Sequence, residues 1–348
     1  MDETITIGLD IAKNVFQVHG VAGNGGVTVR RQLRRAEVLK FFGSIPVCLV
    51  GIEACATSHY WARQIGALGH KVRLLPPAHV KPYVKRGKKN DAADAAAICE
   101  AVTRPHMRSV PVKTEAQQAV LLLHRARDLL VRQRTMLILA LRSHLAEFGT
   151  IAAQGRGNFV KLRAQIASMD SLPELARSAL QLIAAQIDDA NAKIDALERE
   201  IVARHRHDEA SQRLATIPGI GPIIASALAA SVPDASTFKS GRQFAAWLGL
   251  VPRQNSTGGK ERLGGITKAG DRYLRRLLVV GATGLIRYKR KTIPGGIAWV
   301  EKLLARKPVR LVTVALANKM ARIAWAILSR GEIYRHADPA VDKQPAFA

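Results

Sequence analysis

The hydrophobic pattern changes period several times in the first hundred residues. Thr4–Leu9 alternates polar and apolar side chains, and Val15–Val21 and Val27–Arg31 continue in β-rich chemistry with glycine turns at Gly20 and Gly23–Gly26, so three strands are predicted. A helical stretch at Ala36–Phe42 precedes the apolar run Val47–Ile52, which reads as a buried strand. A helix over Ser58–Leu68 leads to a strand at Lys71–Leu75, closed by Pro76 and Pro77, and an Ala-rich helix opens at Asp91. Three strands followed by helix, strand, helix, strand and helix is the order of an α/β, RNase H-like domain, expected over residues 1–112.

Beyond it the period becomes helical. Glu115–Phe148 carries Leu123, Leu130 and Leu137 seven apart, and a break near Gly149–Gly157 follows. A second helix beginning beside Pro173 carries Leu180, Ile183, Ile187, Ala190, Ile194, Leu197 and Ile201 at 3–4 spacing. This predicts an α-helical coiled-coil middle over residues 113–208, formed either by an antiparallel pair within one subunit or by a zipper between subunits. Residues 209–335 read as a mainly α domain opened by a helix-hairpin-helix. There Leu214–Pro222 holds a Pro-Gly-x-Gly turn whose Gly219 and Gly221 allow backbone N–H groups to approach a nucleic-acid phosphate. An ordinary packing corner gives the same pattern. Pro252–Gly270 is a glycine- and lysine-rich loop, three helical stretches follow, and residues 336–348 form a tail.

Charge narrows the class of partner. The 348 residues hold 53 Lys and Arg against 27 Asp and Glu, a formal charge of +26, which points to a polyanion, nucleic acid before any other. The surplus is uneven: 16 against 8 in residues 1–112, 14 against 11 in 113–208, and 23 against 8 in 209–348. Cys48, Cys55 and Cys99 form no CxxC pair and suit a reducing cytosol. The N-terminus lacks a signal-peptide pattern, and the most apolar stretch, Val309–Leu328, is interrupted by Arg310, Lys319 and Arg322. The expectation is a soluble, DNA-associated protein of a reducing cytoplasm, with no membrane partner.

Four carboxylates occupy informative places. Asp10 ends the first strand, Glu53 ends the buried one, and Asp91 and Asp94 share one face at the start of a helix. Gathered at one end of a sheet they repel one another unless Mg2+ (or Mn2+), hard cations preferring oxygen, neutralises them and assists phosphoryl transfer. Asp91 is equally explained as a first-turn acid, but acids flanked by apolar strand residues are costly to bury without a purpose. The histidines are scattered without ligand spacing. A second candidate centre is the Pro252–Arg272 segment, where Ser256 and Thr257 lie among Arg253, Lys260, Arg262, Lys268 and Arg272. These cations suit a phosphate, yet no base is evident, and from the residues alone Ser256 reads as an ordinary loop serine.

Seven ordered motifs carry a resemblance over about residues 4 to 335. They are Gly8-Leu-Asp-Ile-Ala-Lys13, Gly51-Ile-Glu-Ala54, Asn90-Asp-Ala-Ala-Asp-Ala95, Ile217-Pro-Gly-Ile-Gly221, Phe244 to Pro252, Asn255-Ser-Thr-Gly-Gly259 and Thr267-Lys-Ala-Gly-Asp-Arg272. In this order they resemble the insertion sequence 110 family transposases, and Arg253 to Lys260 is similar to the insertion sequence 1111 subgroup. The resemblance implies a RuvC-like domain whose DEDD carboxylates, here Asp10, Glu53, Asp91 and Asp94, hold Mg2+. It also implies a serine nucleophile that becomes joined to DNA, here Ser256. The loop is one residue shorter before the serine than in better-known relatives, which keeps Thr257 as an alternative. A noncoding guide RNA, and homodimers assembling to tetramers in which one subunit's acidic site meets another's serine, are implied by the resemblance alone. Two rivals stand beside it: a RuvC-like metal-dependent structure-selective nuclease, and a non-catalytic basic nucleic-acid-binding protein.

Overall fold

The computed structural model describes residues 4–84, 90–153, 155–289 and 298–335; the expected tail at 336–348 lies outside them. The chain divides into two compact units, Met1–Ala116 and Gln117–Ala348.

The first unit is built on a five-stranded sheet of order β3-β2-β1-β4-β5, with β1 at Thr6–Ile11, β2 at Val15–Val21, β3 at Val27–Arg34, β4 at Leu49–Glu53 and β5 at Lys71–Leu75. β1 pairs antiparallel with β2 and parallel with β4, in a register that sets Gly8 beside Gly51 and Leu9 beside Ile52. Helices α1 (Val38–Gly43) and α2 (Ser58–Ala67) join Ile7, Leu9, Phe16, Val50 and Ile52 in one core. A short α3 (Pro77–Val80) and α4 (Asp91–Thr103) make a second with Leu75, Ile98 and Val102. Side chains two apart on a strand share a face, so Ile7 and Leu9 belong to the first core and Gly8 faces α4. A β-carbon on Gly8 would stand 2.1 Å from the Ala95 carbonyl oxygen, and one on Gly51 would stand 2.8 Å from the Val102 side chain. The two glycines let α4 lie directly on β1 and β4.

Among its described residues the second unit is helical apart from one small ribbon. α5 (Glu115–Ala146) and α7 (Glu174–His205) are the two long helices expected, and between them lies α6 (Phe159–Ser168), where the sequence pattern suggested only a break. Its Phe159, Leu162 and Ile166 follow helical spacing and complete a core with Leu141, Leu145, Leu180, Ala184 and Ile187. The Arg127 guanidinium meets Glu198 at 2.5 Å and Arg134 donates to the Asn191 side chain at 3.2 Å, so α5 and α7 run antiparallel within one chain. The heptad residues Leu180, Ile187, Ala190, Ile194 and Ile201 are all buried within the chain.

α8 (Glu209–Ala215), α9 (Pro222–Ser231), α10 (Gly241–Trp247), α11 (Arg272–Gly284), α12 (Ala298–Leu304) and α13 (Val309–Arg330) build the remaining core. α13 is long and apolar enough to cross a membrane, yet Val312, Leu316, Ala317, Met320 and Ala324 are buried in this core. His124 of α5 is buried and bonds with the Tyr273 hydroxyl at 3.1 Å and the Ser226 hydroxyl at 3.2 Å, tying α5 to α11 and α9.

Candidate active site

Strand parity fixes where the acids fall. Asp10 is two residues beyond Gly8 and Glu53 two beyond Gly51, so both carboxylates lie on the face that α4 covers. The Asn90 side chain caps α4 by accepting from the Ala93 amide at 2.7 Å, which starts the helix with Asp91 and Asp94 in its first turn. α4 then runs back over Gly8, and its N-terminus meets the end of β1. The carboxylates of Asp10, Asp91 and Asp94 come within 4.8 Å of one another. Glu53 stands outside that group of three but within its electrostatic reach.

The electrostatics are those of an unneutralised acidic cluster. Burial, then the charges of Asp94, Asp91 and Glu53, push the Asp10 carboxyl up to about 6. Burial and Asp94 likewise raise Glu53. Cys55, beside the cluster, has its thiol raised by burial and by Glu53 and Asp10, and the three groups that meet are all aspartates. The donors are therefore carboxylate oxygens, which fit a hard divalent cation better than zinc.

The expected loop at Pro252–Gly270 is instead a β-hairpin. β6 (Pro252–Gln254) pairs antiparallel with β7 (Leu263–Ile266), and the Asn255 amide donates to the Arg262 carbonyl at 2.8 Å. Gly258 and Gly259, with φ of +56° and +76°, make the two-residue turn, closed by the Lys260 amide on the Thr257 carbonyl. Ser256 is exposed two residues before Gly258, its hydroxyl accepting from the Arg262 amide at 3.4 Å. Arg253, Lys260, Arg262, Lys268 and Arg272 are all exposed. The hairpin's foot is tightly fixed. A β-carbon on Gly249 would meet the Ala269 backbone at 2.3 Å, and one on Gly270 would meet the Trp247 carbonyl oxygen at 1.9 Å.

At the α8–α9 turn the two glycines differ. Gly219 has φ +86° and its α-carbon faces α11, where a β-carbon would stand 3.2 Å from the Gly281 carbonyl oxygen. Gly219 therefore serves packing as well as the turn. Gly221 faces open space. A groove beside the hairpin, lined on one side by α13, carried no sequence signal, because its residues are scattered in separate stretches between Ser240 and Ala326 with no motif spacing.

Residues 7–150 match a transposase family profile of the DEDD type found in IS110 elements, and residues 211–294 match the family described as "Transposase IS116/IS110/IS902 family". The "Probable family 20 transposase" of Pseudomonas aeruginosa is similar at 52% identity, over 94% of this chain and 98% of that protein. The "Transposase for insertion sequence element IS1328" of Yersinia enterocolitica is 41% identical over 96% of this chain and 99% of its own length. The "Transposase for insertion sequence element IS1111A" of Coxiella burnetii is 39% identical over 96% and 92%.

Proposed function

The chain belongs to the IS116/IS110/IS902 family of transposases, enzymes that cut and rejoin DNA, and we propose that it works with a cation at Asp10, Glu53, Asp91 and Asp94 and with Ser256 as nucleophile. Family membership sets aside the non-catalytic binding protein. The observation that carries the proposal is the approach of Asp10, Asp91 and Asp94 to within 4.8 Å, with Asp10 pushed up to about 6 by burial and its neighbours. The sheet order, with β1 antiparallel to β2 and parallel to β4, supports reading the first unit as RuvC-like.

A DEDD domain implies a divalent metal, and the all-oxygen donor set favours Mg2+ or Mn2+. When bound, such an ion supplies charge stabilisation at phosphate oxygens. The protein's own residues do the rest. The cations of the hairpin and of α11's start draw a DNA phosphate to the exposed Ser256 hydroxyl. Its oxygen attacks phosphorus, forming a phosphoserine ester as the bond to the departing deoxyribose oxygen breaks; the serine loses a proton and the leaving oxygen gains one. Attack on that ester by a different deoxyribose hydroxyl rejoins the DNA and regenerates the serine. Gly258 and Gly259, which make the turn, let the hairpin tip follow the phosphate. Gly221, open to solvent, is the point on the α8–α9 turn where a DNA backbone can come close, with Gly219 holding the turn.

Two further parts of the reading concern partners. The +26 charge suits a second polyanion beside DNA, taken here as a noncoding guide RNA of the element. For self-association, α5 offers Leu122, Leu129 and Met136, seven apart and 65%, 48% and 68% exposed. This outward seam, rather than the buried α7 heptads, is the surface on which a second copy packs. The acidic centre is tested by Asp94→Asn in a strand-exchange assay. Loss of divalent-dependent exchange with no loss of melting temperature is expected, and full exchange in the variant or in EDTA would contradict it.

A further inference from the structure

Beside the foot of the serine hairpin lies a groove of about 1610 Å³ whose walls are Leu263–Ile266 of the hairpin, the start of α10, Trp299 and the outward side of α13. Two kinds of side chain meet there. Trp299, Leu263 and Leu311 are large apolar groups left 37%, 61% and 52% exposed. Arg242, Lys307, Lys319 and Arg322 are all exposed, and among the described residues that line the groove there is no carboxylate. The Lys319 ammonium lies over the Trp299 ring, 4.9 Å from its centre, so a cation caps one face of the ring and stands beside whatever meets its exposed part.

Two polar side chains of the wall are already satisfied from within the fold. Asn318 donates to the Leu250 carbonyl at 3.0 Å, and the Trp325 indole N–H donates to the Ala235 carbonyl at 3.1 Å. α10 presses on α13 so closely that a β-carbon on Gly241 would stand 3.0 Å from the Arg322 carbonyl oxygen. A packing surface for another protein segment needs apolar area but not four unpaired-sign cations; a duplex-binding patch needs cations but no aromatic face, since the bases of a duplex are stacked away.

We propose that this groove binds an unpaired nucleotide of a nucleic-acid strand, with the base against Trp299, Leu263 and Leu311 and the flanking phosphates on Arg242, Lys307, Lys319 and Arg322. Stacking on an aromatic ring within a basic groove is how single strands are held without sequence preference. Pro252 lines the groove and Ser256 is four residues further along the ribbon, roughly 13 Å at strand rise. A strand seated in the groove thus leads toward the hairpin tip. The proposal rests on the family's action on DNA and on neither the serine nor the carboxylate assignment.

The test uses the full chain and three fluorescent probes: a 12-nucleotide single strand, the same backbone without bases, and a 12-base-pair duplex, followed by anisotropy. The wild type should bind the base-bearing strand about tenfold more tightly than the abasic one, and Trp299→Leu should erase that difference while changing duplex affinity less than twofold. Lys319→Gln and Arg242→Gln should each lower the salt slope for the single strand by about 0.7. Equal wild-type affinity for base-bearing and abasic strands would overturn the proposal, as would equal losses for single strand and duplex in Trp299→Leu. Unchanged strand binding with weakened self-association would assign the groove to a second copy instead. Should Trp299→Leu not fold, judged by circular dichroism, Leu311→Ser carries the same expectations and the same contrary results. Covalent capture of DNA is measured separately, so failure of the serine reading leaves this result intact.

Discussion

Asp10 lies between Leu9 and Ile11 on a strand whose other residues are mostly buried, and its carboxyl protonates near 6 instead of 3.8 because burial and three acids oppose its charge. In the metal-free protein this relative stabilisation is present below 3.8 and lost as pH rises through about 6. Asp10→Asn should therefore raise the melting temperature of the metal-free chain at pH 7.5 while abolishing the rise that Mg2+ gives the wild type; a lower melting temperature would contradict the repulsion. A cation must compete with the Asp10 proton, so Mg2+ affinity should be flat above pH 7 and fall about tenfold per pH unit below 6. Calorimetric titration showing constant affinity down to pH 4.5 would count against it. His124 carries the opposite sign. Burial, then Arg127, lowers it to about 4, so its contribution to stability is complete above 6.5 and is lost as pH falls toward 4, by roughly 3 kcal/mol. His124→Gln should flatten that acid limb in melts between pH 7 and 4. The four acids were legible in the sequence because each sits where a strand ends or a helix begins. Their gathering at one end of the sheet was legible too, but the place of Glu53 outside the group of three was not, because the closest approach depends on the register of β1 against β4 and on two glycines.

At the scale of elements, the decisive contact is α4 on β1. Gly8→Ala places a methyl 2.1 Å from the Ala95 carbonyl oxygen and 2.4 Å from the Cys99 amide, backbone atoms that move only with the helix. It should destabilise the chain by about 2 kcal/mol and cut strand exchange far more than that loss of folded protein explains, since Asp91 and Asp94 move with α4. Chemical denaturation beside an exchange assay separates the two effects, and normal exchange would show that this packing does not position the acids. On α5, Leu129→Glu puts a charge in the exposed seam and should weaken self-association without altering the monomer's melting, as read by sedimentation. Alternation and flanking turns made β2 and β5 readable to the residue. The hairpin was not, because a ribbon exposed on both faces has no reason to alternate; its one signal was Gly258-Gly259, a two-residue turn pair. α6 was hidden behind glycines at 149, 155 and 157, although Phe159, Leu162 and Ile166 already carried a helical stripe.

For the whole molecule, composition and fold point to the same division of labour. The acidic centre belongs to the first unit, while the hairpin, the α8–α9 turn and the cation-lined groove belong to the second, within residues 209–348, where Lys and Arg number 23 against 8 Asp and Glu. Binding of nonspecific DNA should accordingly be steeply salt-dependent, with a slope of log K against log salt of roughly −5 or steeper, and a shallow slope would remove charge as the main attraction. The apolar length of α13, ambiguous in the sequence, is explained by its place at the centre of the second unit's core. The central claim is that one hydroxyl of this chain becomes joined to DNA, and the most direct measurement is the mass of the peptide carrying the adduct after nuclease and protease digestion. A nucleotide on Ser256, absent from Ser256→Ala and retained in Thr257→Ala, is the predicted result. That serine variant should keep its DNA affinity and lose no more than about 0.5 kcal/mol of stability. An adduct on Thr257 would contradict the assignment, and cut DNA with no adduct in the wild type would replace the serine chemistry with hydrolysis at the acidic centre.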